Sequence, residues 1–311
     1  MALTIVLIIV GLFIVVMAVG ISFFIKMMCR PKVHTHQEGM QVLKEHGFDC
    51  EEFEKTHPHE EFTFQSPRGY TLRGLIYRQP KESQQGRQKA IILVHGYTGT
   101  YSTMYTYAKI LMDTYGYNVI VYDHRGHGLS DKGKAEFCSM GYFESMDLID
   151  LFHFIKPQFD NDCIWGLLGE SMGSGTVMQT AWQIKELDFA IEDCGYSSLM
   201  KQAKSIMNSM HVPAFPMLYL GSIVIKLHFK FSMYDVNAIE AMKKTEIPML
   251  FCHGDSDTFV PTAMVHDVYN AKKDKKMLQL YAGSPHAQSV VDHPEQYKEV
   301  VGQFFKKYNL I

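Results

Sequence analysis

Ser171 lies in the pentapeptide Gly169-Glu170-Ser171-Met172-Gly173. An apolar run that reads as a buried strand, Ile164 to Leu168, leads into it, and a stretch with helical character, Thr176 to Trp182, leads out. A strand that turns so sharply into a helix strains the backbone at the corner, and flanking glycines keep neighbouring Cβ atoms out of the way. Gly-x-Ser-x-Gly in that setting is the signature of a nucleophile elbow. A serine hydroxyl at its free pKa is a poor nucleophile, so the chain must also supply a base, a carboxylate to orient the base, and N–H donors for a developing oxyanion. The chemistry would be acyl transfer.

In an elbow architecture the partners follow in the order serine, acid, histidine. After Ser171 comes His253-Gly254-Asp255-Ser256-Asp257-Thr258-Phe259-Val260-Pro261, then Ala282-Gly283-Ser284-Pro285-His286-Ala287. Two aspartates compete for the acid role. Asp255 directly follows a glycine and can serve simply to cap the turn, whereas Asp257 sits farther out, before the helix that Pro261 opens, and is favoured. Among the 15 histidines, His286 falls in the short loop after the last expected strand. His253 reads as a buttress of the acid loop and His293, before Pro294, as a helix boundary.

These residues need elements to position them. From Phe62 onward short apolar runs alternate with helical stretches. Strands are expected at Phe62–Gln65, Tyr70–Arg78, Ala90–Val94, Asn118–Tyr122, Ile164–Leu168, Phe189–Asp193, Pro248–Cys252 and Met277–Tyr281, the first two as an antiparallel hairpin. Helices are expected at Tyr101–Tyr115, Tyr142–Phe159, Pro261–Lys272 and Pro294–Tyr308. Such alternation predicts a mostly parallel sheet covered on both faces, with ligands at the carboxyl ends of its strands. Residues 197 to 246 interrupt the rhythm with apolar helical stretches and are read as a lid over the pocket.

The first 25 residues carry no charged side chain. As a helix they would extend roughly 37 Å, enough for a hydrocarbon core of roughly 30 Å, and a run apolar on every face suits a bilayer better than a soluble core. A cleaved signal peptide is the rival reading; the absence of Lys or Arg before the run and its length count against it. Residues 1–28 are therefore expected to be an uncleaved single-pass anchor, 29–60 a polar juxtamembrane linker and 61–311 the catalytic domain. Lys26, Arg30 and Lys32 follow the apolar run, which places the body on the cytoplasmic side. Removing residues 1 to 30 is expected to leave a soluble, active enzyme.

From Phe62 to the C-terminus the chain resembles the α/β-hydrolase fold, and within it the membrane-anchored, esterase-like hydrolases of bacteria. The resemblance rests on His95-Gly96-Tyr97-Thr98-Gly99, Tyr122-Asp123-His124-Arg125-Gly126-His127-Gly128-Leu129-Ser130, the Ser171 pentapeptide, the Asp257 loop and His286. It implies a central sheet of about eight strands with helices on both faces and a lid insertion. It also implies Ser171 as nucleophile, Asp257 as acid, His286 as base, and the backbone N–H groups of Tyr97 and Met172 as the oxyanion hole. A carboxylic ester is the expected small-molecule substrate, with a peptide or acyl thioester as the alternative for the same triad. Glu170 stands where many lipases carry His, which argues against a typical lipase and leaves this carboxylate without a role.

Composition excludes several other classes. With 30 Lys and Arg against 33 Asp and Glu the net charge is −3, and no basic stripe points to nucleic acid. Six cysteines lack Cys-x-x-Cys spacing, so neither a zinc site nor a disulfide framework is expected. The histidine pairs 34/36 and 57/59 have no carboxylate or thiolate spaced to complete a metal shell. The two histidines and two aspartates between Asp123 and Asp131 read as a structural turn. No cofactor or metal is expected.

Overall fold

The computed structural model of the protein describes residues 1–80, 86–131 and 137–311. The apolar runs become β1 (His59–Gln65), β2 (Thr71–Tyr77), β3 (Lys89–Val94), β4 (Asn118–Tyr122), β5 (Ile164–Glu170), β6 (Phe189–Asp193), β7 (Met249–Gly254) and β8 (Lys276–Tyr281). They form one eight-stranded sheet in the order β1-β2-β4-β3-β5-β6-β7-β8. The hairpin β1–β2 is antiparallel and joins the sheet antiparallel to β4, while β3 to β8 run parallel.

Three helices precede the sheet, namely α1 (Ala2–Cys29), α2 (His36–Glu45) and α3 (Cys50–Thr56). Helices α4 (Tyr105–Tyr115), α5 (Tyr142–Ile155) and α6 (Met172–Thr180) follow β3, β4 and β5. Between β6 and β7 lie α7 (Leu199–Ser209), α8 (Met217–Phe229) and α9 (Ala238–Met242); α10 (Ala263–Ala271) follows β7, and α11 (Ser289–Asp292) and α12 (Pro294–Lys307) close the chain. Successive side chains of the central strands point to opposite faces. Accordingly Leu93 and Val121 pack with Leu111 of α4 and Phe304 of α12, whereas Ile92 and Ile120 pack with Leu148 of α5 and Val177 of α6. Both faces are thus dry, which is why these strands read as unbroken apolar runs.

Residues 29–60 differ from a solvated linker. Thr35 Oγ1 accepts the Glu38 N–H at 3.2 Å while the Thr35 N–H donates to Glu38 Oε2 at 2.7 Å, a capping box that starts α2, and Asp49 caps α3. Leu43 and Phe53 are buried in the same cluster as α4. His36 Nε2 lies 2.9 Å from Asp123 Oδ2, tying α2 to the turn after β4.

Helix α1 has 28 residues and so extends about 42 Å; it is long and apolar enough to cross a membrane. Its side chains are mostly exposed as far as Phe23, after which Phe24, Met28 and Cys29 are buried against the body. Helix α8 runs beside it in the same direction: a Cβ on Gly20 would lie 2.6 Å from Met217 Sδ, and one on Gly221 would lie 3.5 Å from Phe24. The last carbonyls of a helix lack partners within it. Here the body supplies two of them, with the Cys138 N–H donating to Cys29 O at 2.7 Å and the Tyr97 hydroxyl donating to Met27 O. The end of α1 is therefore packed into the body, whereas the chain's apolarity alone suggests a boundary near residue 28.

Candidate active site

Strand β5 ends at Glu170 and α6 begins at Met172, leaving Ser171 at the corner with φ 55° and ψ −113°. Few non-glycine residues occupy such a conformation, and it persists only where the surroundings enforce it. They do so through close packing. A Cβ on Gly173 would sit 1.9 Å from Val94 O, and one on Gly169 would sit 2.3 Å from Gly173 O. The Ser171 N–H is held by Asp193 O at 2.8 Å. Helix α6 starts four residues earlier than its sequence suggests, because Gly173 and Gly175 weaken the helical signal while permitting this contact.

The loop after β8 brings His286 Nε2 to 2.8 Å from Ser171 Oγ, and His286 Nδ1 lies 2.7 Å from Asp257 Oδ2. The other Asp257 oxygen accepts the N–H groups of Phe259 at 2.9 Å and Val260 at 2.8 Å. His253 Nε2 donates to Val260 O at 2.8 Å and lies 3.3 Å from Asp257 Oδ2, the buttress anticipated for it. Burial opposes ionisation of Asp257, but the hydrogen bonds from His253 and His286 outweigh it and hold the carboxyl at about 2. Asp255 points elsewhere: its Oδ1 accepts the Gly283 N–H at 2.7 Å, pinning the loop that carries His286. His293 lies outside the cluster, with Nε2 2.9 Å from Ala282 O.

Tyr97, in the loop after β3, and Met172 line the same cavity as Ser171. Met172 is the first residue of α6, where a helix leaves its N–H groups without internal acceptors and favours negative charge. The cavity measures about 150 Å³, and among the described residues no charged side chain lines it. Its walls include Leu199 and Ala203 of α7, and Phe24, Met27 and Met28 of α1.

Glu170 acquires neighbours that the sequence did not reveal. Its Oε2 lies 3.3 Å from the Tyr107 hydroxyl, which also lies 3.0 Å from Asp193 Oδ2. Burial and the nearby Asp193 carboxylate push Glu170 up to about 8. This pair of acids sits directly behind the elbow, on the ends of β5 and β6. Cys194, Asp257 and His286 each place a ligand-type atom within 4.8 Å of the others. Burial pushes the Cys194 thiol well above its ordinary value, though, so it is a poor source of the thiolate a metal needs. The Asp123 turn is structural, its carboxylate accepting the N–H groups of Tyr101 and Leu129, both at 2.8 Å.

Residues 89–188 match the family model for the alpha/beta hydrolase fold. The Pyrococcus furiosus esterase Pf2001 superimposes with a TM-score of 0.65 at 23% identity, over 84% of this chain and 96% of that one. The chain has the α/β-hydrolase fold. Among sequence relatives, YqkD of Bacillus subtilis is 28% identical over 301 residues, 94% of each chain. The lysophosphatidylserine lipase ABHD12 of Danio rerio is 24% identical over 208 residues, 64% of this chain and 51% of the relative, so the chain spans about half of that protein's length. Within the α/β-hydrolase frame, the contribution of α1 to the cavity wall was missed because it joins residues near 25 to residues near 200. An apolar helix carries no local sign of which few side chains face protein.

Proposed function

We propose that the protein is a membrane-anchored serine hydrolase that cleaves carboxylic esters through an acyl-enzyme. The observation that carries this reading is the unbroken hydrogen-bond chain Ser171 Oγ–His286–Asp257 at 2.8 and 2.7 Å. His286 Nε2 takes the Ser171 proton as Oγ bonds to the ester carbonyl carbon. Asp257, held ionised, keeps the Nδ1–H tautomer and offsets the imidazolium charge. The carbonyl oxygen, now an oxyanion, receives the N–H groups of Tyr97 and Met172; one such donor is typically worth roughly 100 to 1,000-fold in turnover. Collapse expels the alcohol, which takes its proton from His286, and water repeats the cycle to release the acid.

The uncharged cavity beside Ser171 suits an apolar acyl group and offers nothing to hold a charged peptide terminus, so an ester is favoured over a peptide. The esterase and lipase names of similar proteins point the same way. Residues 1–28 act as the anchor and 61–311 as the catalytic domain with residues 197–246 as lid. Lys26, Arg30 and Lys32 favour the cytoplasmic side for the body. Ser171→Ala should abolish fluorophosphonate labelling and lower ester turnover by about 1,000-fold or more while the fold persists. Turnover should be compared on p-nitrophenyl esters of graded chain length beside amide and thioester analogues. Unchanged turnover in Ser171→Ala would overturn the assignment, and preference for the amide or thioester would transfer it to those classes.

A further inference from the structure

The cavity at Ser171 has a neighbour along α1. A second apolar hollow of about 440 Å³ shares Phe24 and Met27 with it and continues along α1. Phe13, Met17 and Gly20 of α1 form one wall of that hollow, and Met207, Pro213 and Met217 of the lid form the other. Among the described residues, no polar or charged side chain lines it. Residues 13 to 20 belong to the stretch of α1 that carries no charge, so a bilayer spanned by α1 surrounds this hollow with hydrocarbon.

The lid tip fits the same surroundings. Because α8 runs parallel to α1 with Met217 beside Gly20, the connection between α7 and α8 lies level with the uncharged part of the anchor. Phe215 is 77% exposed there, and Met210, Leu220, Ile223 and Leu227 are exposed as well. Irregular backbone is costly in hydrocarbon unless its polar groups are satisfied. At this turn the His211 and Val212 N–H groups bond to Asn208 O and Met207 O, and Pro213 and Pro216 have no N–H to satisfy.

We infer that the substrate is a long-chain acyl ester dissolved in the bilayer, which enters sideways between α1 and the lid with its chain lying in the hollow and its carbonyl at Ser171. The inference rests on the serine-hydrolase reading and deepens it. A cavity of about 150 Å³ in an apolar wall takes a group about the size of benzene, which in cross-section is one alkyl chain rather than two. The lid is then a membrane-inserted wall of the entry path, and the anchor is part of the substrate site.

The test uses the full chain in phosphatidylcholine vesicles and an octadecyl fluorophosphonate with a diazirine at the far end of its chain. The phosphorus bonds to Ser171 Oγ with loss of fluoride, and light then fixes the chain end to whatever surrounds it. Adducts are expected on residues 13–27, on residues 207–217 and on vesicle lipid. Ser171 labelled with chain-end adducts on other segments, or with water only, overturns the sideways entry and leaves the hydrolase reading intact. Failure to label Ser171 overturns the hydrolase reading and the entry path with it.

Discussion

The Tyr97 hydroxyl donates to the main-chain carbonyl of Met27, so the residue proposed to supply an oxyanion N–H also holds the end of α1. Tyr97→Phe keeps the N–H and removes the latch. It should cost about 1 kcal/mol of stability, the usual net worth of one hydrogen bond. Turnover of a bilayer-dissolved monoacylglycerol should fall several-fold more than that of soluble p-nitrophenyl acetate. Thermal unfolding and paired kinetics in vesicles measure both, and equal effects on the two substrates would refute the link.

For the acid, Asp257→Asn should reduce kcat by roughly 1,000 to 10,000-fold, because an amide cannot hold His286 in the required tautomer. Asp255→Asn disturbs only the turn that steadies the His286 loop, and its loss should stay under about 10-fold, the scale of one hydrogen bond. Steady-state kinetics on a p-nitrophenyl ester separates the two; a larger loss in Asp255→Asn would transfer the role.

Glu170 has an ordinary value of 4.5 and is pushed up to about 8 in the fold. A raised acid retains its proton in the folded protein at pH values where the unfolded chain has released it. Its contribution is complete below about 4.5, declines as the pH rises and is gone above about 8. Glu170→Gln removes that titration. Relative to wild type, the variant should therefore gain roughly 1 to 3 kcal/mol between these limits, and chemical denaturation at several pH values reads the difference. Parallel pH curves for the two proteins would show that Glu170 does not titrate this way.

Truncation discriminates between a tether and a wall. Deleting residues 2 to 16 leaves Phe24, Met28 and Cys29 in place and should preserve hydrolysis of p-nitrophenyl butyrate. Deleting residues 1 to 30 removes these buried side chains, at roughly 1.5 to 3 kcal/mol for Phe24 or Met28. That truncation should unfold at lower temperature and lose about 10-fold or more of the activity. A stable and fully active protein lacking residues 1 to 30 would show that the helix is only a tether.

What could be read from the chain follows the range of the interactions involved. Ser171, Asp257 and His286 each sit at a strand end marked by glycine or by turn residues, and a parallel sheet brings such ends together, so local patterns in the right order sufficed. The eight strands were legible for a similar reason, since burial on both faces leaves continuous apolar runs. Helix α2 announced itself in Thr35 and Glu38, the two ends of a capping box, yet the polar composition of residues 29–60 masked it. The partners of Glu170 were not legible. Tyr107 and Asp193 lie 63 and 23 positions away from it, and nothing in a lone glutamate says that another acid will be its neighbour.

The parallel pairing of α1 with α8 also sets an order of assembly. Gly20 and Met217 are about 200 positions apart, so α1 is made long before the segment that pairs with it exists. Until α8 is made, the face of α1 around Gly20 has no partner in the chain, so that wall of the hollow is completed late.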